Sequence, residues 1–121
     1  MTLYYQTVWI SDTHLGTKGC KAEYLRDFLD HVECDTLYLV GDIIDLWSWN
    51  VKSDFYWPIL HSDIVQQVIN KAKTGTRVIY IPGNHDEQLR KHVGTEFNGI
   101  EIHLNAIHQT VDGRQFLVMH G

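Results

Sequence analysis

The chain has 121 residues, 44% of them hydrophobic, two cysteines and a formal charge of −5 at pH 7. That length sets one modest domain. The acidic balance, with no basic run, argues against a duplex nucleic acid partner. No stretch approaches the ~20 apolar residues of a membrane span. The opening Met1-Thr2-Leu3-Tyr4-Tyr5-Gln6 lacks the basic and apolar regions of a signal peptide, so the expectation is a soluble cytoplasmic protein.

Tyr4 to Ser11, with Tyr5, Val8, Trp9 and Ile10, predicts a strand ending at Asp12. Thr13 to Gly19 predicts a loop. Apolar residues at Tyr24, Leu25, Phe28, Leu29 and Val32 give a helical stripe over Cys20 to Val32. On a helix carrying both Cys20 and Cys34 the thiols stand about 20 Å apart, which excludes an intrachain disulfide. Thr36 to Val40 is a short apolar run, the pattern of a strand buried on both faces.

A second helix is predicted from Asp54 to Lys73, with Pro58 in its first turn and a stripe of Ile64, Val65, Val68, Ile69 and Ala72. Gly75 stops it. Arg77 to Ile81 predicts a third buried strand, closed by Pro82-Gly83. A loop with one helical turn follows from Asp86 to Val93. Then the period changes: Ile100 to Leu104 and Ala106 to Val111 alternate, and Asp112-Gly113 signals a tight turn before Arg114 to Met119. The order β-α-β-α-β predicts an α/β fold with a mostly parallel sheet, flanking helices and a β-rich C-terminal tail.

Four polar segments follow apolar runs: Asp12-Thr13-His14, Gly41-Asp42-Ile43-Ile44-Asp45, Gly83-Asn84-His85-Asp86 and His120-Gly121. Singly, each reads as a turn or a helix cap. Together they place carboxylates, imidazoles and an amide at successive strand ends, where open α/β sheets form their ligand crevices. Hard oxygen and imidazole donors in one cluster suit adjacent divalent cations.

These segments, in this order, resemble the calcineurin-like metallophosphoesterase family. The resemblance runs from Val8 to Gly121. The stretches Trp9-Ile10-Ser11-Asp12-Thr13-His14-Leu15-Gly16 and Leu39-Val40-Gly41-Asp42-Ile43-Ile44-Asp45-Leu46-Trp47 are most similar to the UDP-2,3-diacylglucosamine pyrophosphohydrolase group. It implies the N-terminal part of an αββα sandwich and two divalent ions, Mn²⁺ foremost, with Fe²⁺ and Zn²⁺ as alternatives. Asp12 and His14 are implied to hold the first ion, Asp42 to bridge both, and Asn84 and His120 to hold the second. His85 is implied to act on the phosphoryl group or the leaving oxygen, with Asp86 fixing its tautomer. Asp45 is read as orienting a ligand.

The implied substrate is a nucleotide-sugar pyrophosphate in lipid A biosynthesis, with peripheral contact to the inner membrane. A phosphodiesterase or phosphatase of the same superfamily is the alternative. In the family a Gly-His-x-His segment adds one histidine to each ion, and nothing here matches it. His92, His103 and His108 lack that spacing and read as surface or sheet histidines. The expectation is therefore a domain over residues 1–121 truncated before that segment, with impaired turnover. A non-catalytic binding module or inactive fragment competes with the enzyme reading.

Two further expectations concern surfaces. Trp47, Trp49, Phe55, Tyr56 and Trp57 form either a wall for a sugar, base or acyl chain or ordinary packing. Lys18, Arg90 and Lys91 stand beside the motifs as phosphate contacts or plain solvated charge. An unprotected sheet edge predicts homo-oligomers.

Overall fold

The protein, seen in a computed structural model, is described over residues 2–18, 20–45, 58–110 and 112–119, and ten elements lie among these residues. The aromatic cluster Trp47, Trp49, Phe55, Tyr56 and Trp57 lies outside the described residues. The chain runs β1 (Leu3–Ile10), α1 (Ala22–His31), β2 (Val32–Val40), α2 (Ile59–Lys73) and β3 (Arg77–Ile81). A 3₁₀ helix (Glu87–His92) follows, then β4 (Glu96–Phe97), β5 (Ile100–Ile102), β6 (Ala106–Gln109) and β7 (Gln115–Val118). Five strands form one sheet in the order β1-β2-β3-β5-β4, and β6 and β7 form a separate hairpin. All pairs in the large sheet are parallel except β4 with β5.

Alternation along the central strands sorts side chains to two faces. Leu37, Leu39, Val78, Tyr80 and Ile102 point to the helical side, where Leu29, Ile64 and Val68 complete the larger core. Tyr38, Ile79 and Ile81 point the other way and pack with Val118 of the hairpin. Burial on both faces is why β2 and β3 read as continuous apolar runs. Each fully buried aliphatic side chain contributes about 1.5–3 kcal/mol.

The structure corrects several boundaries. The first helix is shorter than its stripe, and β2 begins directly at Val32 with no linker. Val32 fits the helical spacing and the strand equally well, and its burial decides for the sheet. Tyr24 is exposed and only Leu29 and Ala22 are fully buried on α1. Cys20 precedes α1 and Cys34 lies in β2, so the premise of one shared helix fails, although both thiols are free. In α2, Pro58 is the N-cap with an extended backbone, so the helix starts after it.

The β4–β5 hairpin is absent from the sequence reading. Its turn residues, Asn98 at φ 49° and Gly99 at φ 87°, form the left-handed pair that a two-residue hairpin needs. Among the described residues, no helix is long and apolar enough to cross a membrane.

On the sheet, Arg77 donates to Glu101 through Nε (2.8 Å) and Nη2 (3.1 Å), and His103 Nε2 adds a third bond at 3.1 Å. Chiefly through the Arg77 hydrogen bond, the Glu101 carboxyl falls to about 2. A depressed carboxyl stabilises the fold above its ordinary range, and that contribution fades as pH drops from 4.5 toward 2. Arg77 is solvent-exposed, so Glu101→Gln is expected to cost only about 0.5–1 kcal/mol near neutrality. Urea titrations should show the gap between the two proteins closing by pH 2.

Candidate metal and phosphoryl site

Strand register brings the motifs together. Ile10 pairs with Leu39, and Val40 pairs with Ile81, so β1, β2 and β3 finish side by side at one sheet edge. Two residues past those ends stand Asp12, Asp42 and Gly83. The β1 and β2 extensions stay bonded to one another. Asp12 N donates to Gly41 O at 3.0 Å, His14 N to Asp42 O at 2.9 Å and Leu15 N to Ile43 O at 2.7 Å. Asp45 N then returns to Leu15 O at 2.7 Å.

Asp12 (φ 56°), His14 (φ 51°) and Asp42 (φ 55°) all adopt left-handed backbone conformations. Each costs about 1–3 kcal/mol and persists because surrounding bonds over-determine it. This strain turns the three side chains toward one another. One ligand atom from each of Asp12, His14 and Asp42 lies within 4.8 Å of the others. Asp42 is 6% exposed, whereas the Asp12 side chain is 54% exposed. Two carboxylates and an imidazole converging at this spacing fit a divalent cation.

Asp45, almost fully buried, sits behind the histidines. Its Oδ2 lies 3.3 Å from His14 Nδ1 and 3.1 Å from His85 Nδ1. A carboxylate only accepts, so each Nδ1 carries the proton. His14 Nε2 then lies 3.9 Å from Asp12 Oδ1, and both histidines line the pocket. The two imidazole rings meet edge to face with centroids 4.9 Å apart.

Asp86 is not the partner of His85. It is fully buried and accepts from Asp42 N at 3.1 Å, Ile43 N at 2.9 Å, Gly83 N and the Tyr80 hydroxyl. Those four donors fill a carboxylate's capacity. Burial, followed by the Asp86 charge, pushes the Tyr80 phenol well above its ordinary range, so it stays a donor. The expectation that Asp86 sets the His85 tautomer is therefore corrected: Asp45 holds His85, and Asp86 anchors the Gly41–Ile43 loop. Adjacent residues in the turn face opposite ways, which explains the exchange.

The two other expected ligands stand differently. Asn84 has an exposed side chain. Its neighbours are pinned, Gly83 N by Asp86 and His85 N by Asp42 Oδ1 at 2.7 Å. His120 lies outside the described residues.

A cavity of about 560 Å³ opens over this cluster, lined by Asp12, His14, Thr17, Lys21, Asp45 and His85 among others. Lys18, Arg90 and Lys91 are exposed and line no part of it; Lys21 supplies its cationic side chain. An apolar cavity of about 570 Å³ adjoins it through shared Thr13 and Leu25. His103 and His108 are sheet and hairpin histidines. His108 Nδ1 lies 3.1 Å from the Tyr38 hydroxyl, and its ring meets Trp9 edge on.

Asp45→Ala removes the acceptor shared by both imidazoles. The expected result is a 10- to 100-fold (~1.4–2.8 kcal/mol) loss of Mn²⁺ affinity, about the usual effect of removing a ligand's hydrogen-bond partner. A metal titration checks it.

The family model for calcineurin-like phosphoesterases matches residues 5–121. The chain is 31% identical over 123 residues to a UDP-2,3-diacylglucosamine hydrolase of Chromohalobacter salexigens, covering 95% of this chain and 46% of that protein. It is 29% identical over 119 residues to the enzyme of the same name from Photorhabdus laumondii, covering 95% and 47%. The chain thus spans about half the length of the curated relatives it matches. Among solved structures it is similar to the Pseudomonas putida nuclease MPE, with TM-score 0.44, 18% identity and coverage of 79% and 46%.

Proposed function

Because the chain belongs to the calcineurin-like phosphoesterase family, we propose that it hydrolyses phosphoesters with a pair of divalent cations. Convergence of the Asp12, His14 and Asp42 donors within 4.8 Å is the observation that carries this reading. In it, Asp12, His14 and Asp42 would hold one ion, and Asp42 with Asn84 and His120 would hold the second. Bound together, such cations polarise a phosphoryl oxygen and provide the attacking water.

The chain's own groups do the positioning. Asp45 keeps the Nδ1 proton on His14, so that Nε2 would be the ring atom to take a cation. The same carboxylate holds His85 at Nδ1, so that in its protonated form His85 Nε2–H donates to the phosphoryl oxygen and gives its proton to the departing one. Asp86 fixes the loop that carries Asp42. Lys21 lies where it can neutralise a substrate phosphate.

The substrate class is taken from the named relatives, which are UDP-2,3-diacylglucosamine hydrolases: a nucleotide-sugar pyrophosphate, with Mn²⁺ as the proposed cofactor and the cytoplasmic face of the inner membrane as the proposed place of action. Exposed Trp9, Phe116 and Leu117 favour association with a second copy or another protein surface.

With Mn²⁺ present, this chain is expected to hydrolyse UDP-2,3-diacylglucosamine faster than cyclic nucleotides or p-nitrophenyl diesters. A better rate on the diesters would replace the substrate reading with a general phosphodiesterase. Hydrolysis of none would favour a binding module.

A further inference from the structure

His61 occupies the first turn of α2, only 4% exposed. Its Nδ1 accepts the buried Gly16 N–H at 2.9 Å, across 45 residues of sequence. Gly16 stands two residues past His14, with φ at 95°. As far as Asp45, the loop is laced to the β2 extension by backbone bonds. At Gly16 the tether passes to a side chain of the opposite element. From there the chain folds back, Thr17 Oγ1 donating to His14 O at 2.8 Å.

We propose that His61 is a positioning residue that locks the Asp12–Gly16 loop onto α2 and so holds the His14 imidazole in its cation-binding orientation. This inference rests on the functional reading above, in that His14 is taken to bind the cation. The physical argument is one of strain. Asp12 and His14 both sit in left-handed conformations, which relax unless both ends of the loop are fixed. β1 fixes the start, backbone bonds to the β2 extension hold the loop through Leu15, and His61 adds the last tether at Gly16. An unpaired buried Gly16 N–H is costly enough to make the loop rearrange rather than stay. Burial also lowers the proton affinity of His61, keeping Nδ1 an acceptor.

The test is Mn²⁺ affinity, read by electron paramagnetic resonance of the free ion, in variants of this chain. His61→Phe keeps the ring volume and removes the acceptor. Its affinity is expected to fall about 10-fold or more, in the range seen when a ligand's support is lost. His61→Asn offers Oδ1 close to the Nδ1 position and should stay within about threefold of the unsubstituted chain. A purely structural role would lower melting temperature in both and leave Mn²⁺ affinity alone below the transition.

A folded His61→Phe with unchanged affinity overturns the inference, as does a His61→Asn as weak as His61→Phe. If His61→Phe does not fold, His61→Leu takes its place. If neither folds, the affinity of His61→Asn decides alone. The underlying reading fails separately: it falls if His14→Ala leaves Mn²⁺ binding intact, whatever His61 variants do.

Discussion

Asp86→Ala is expected to cost about 3–5 kcal/mol of stability, a large share of the ~5–15 kcal/mol of a domain this size. The substitution leaves the Asp42, Ile43 and Gly83 amides and the Tyr80 hydroxyl without their acceptor. All four donors lie around a carboxylate that is fully buried, so water does not replace it freely. Asp86→Asn keeps one acceptor oxygen but sets an NH₂ against donors, and is expected to fall between. Urea unfolding checks both. A loss under about 1 kcal/mol for the alanine variant would mean the loop re-forms its bonds elsewhere.

Asp42→Ala carries the second large effect, on function rather than fold. Asp42 Oδ1 accepts the His85 amide at 2.7 Å, and the same carboxylate lies within ligand reach of Asp12 and His14. Removing it takes one donor from the proposed cation pair and loosens the turn that carries Asn84 and His85. Mn²⁺ affinity is expected to fall at least about 100-fold, or ~2.7 kcal/mol, since even a ligand's hydrogen-bond partner is worth 10- to 100-fold. The stability loss should be smaller than for Asp86→Ala, because fewer buried donors are stranded. Calorimetric titration with Mn²⁺ measures it. An affinity within about threefold of the starting protein would remove Asp42 from the site.

Much of the fold is legible because its signals are local. The apolar runs over Thr36 to Val40 and Arg77 to Ile81 and the stripe of α2 each follow from a few neighbouring residues. The hairpin at Asn98-Gly99 was missed although that dipeptide is the strongest short-range signal for such a turn, because the flanking β4 is only two residues long and gives no strand pattern of its own. The direct passage from α1 into β2 was not legible, because Val32 satisfies both periods and only the packed sheet chooses.

At the site, the motif order indicated which residues gather but not which carboxylate meets which imidazole. Asp45 and His85 are 40 residues apart, and their contact depends on how three strand ends align. Asp86 is next to His85 in sequence and bonds instead to a loop 43 and 44 residues away. His61 gave no signal at all. A lone histidine near a helix start reads as solvated or core, and only the Gly16 amide beside it reveals its work.

The proposed divalent-cation seat of Asp12, His14 and Asp42 is open to paramagnetic broadening of amide resonances by substoichiometric Mn²⁺, since weak binding suffices. The amides of residues 12–15, 41–43 and 84–86 are expected to broaden first, and Asp12→Ala or Asp42→Ala to abolish the effect. Broadening centred on other surface carboxylates such as Asp27 and Asp30, with these segments unaffected, would rule the seat out.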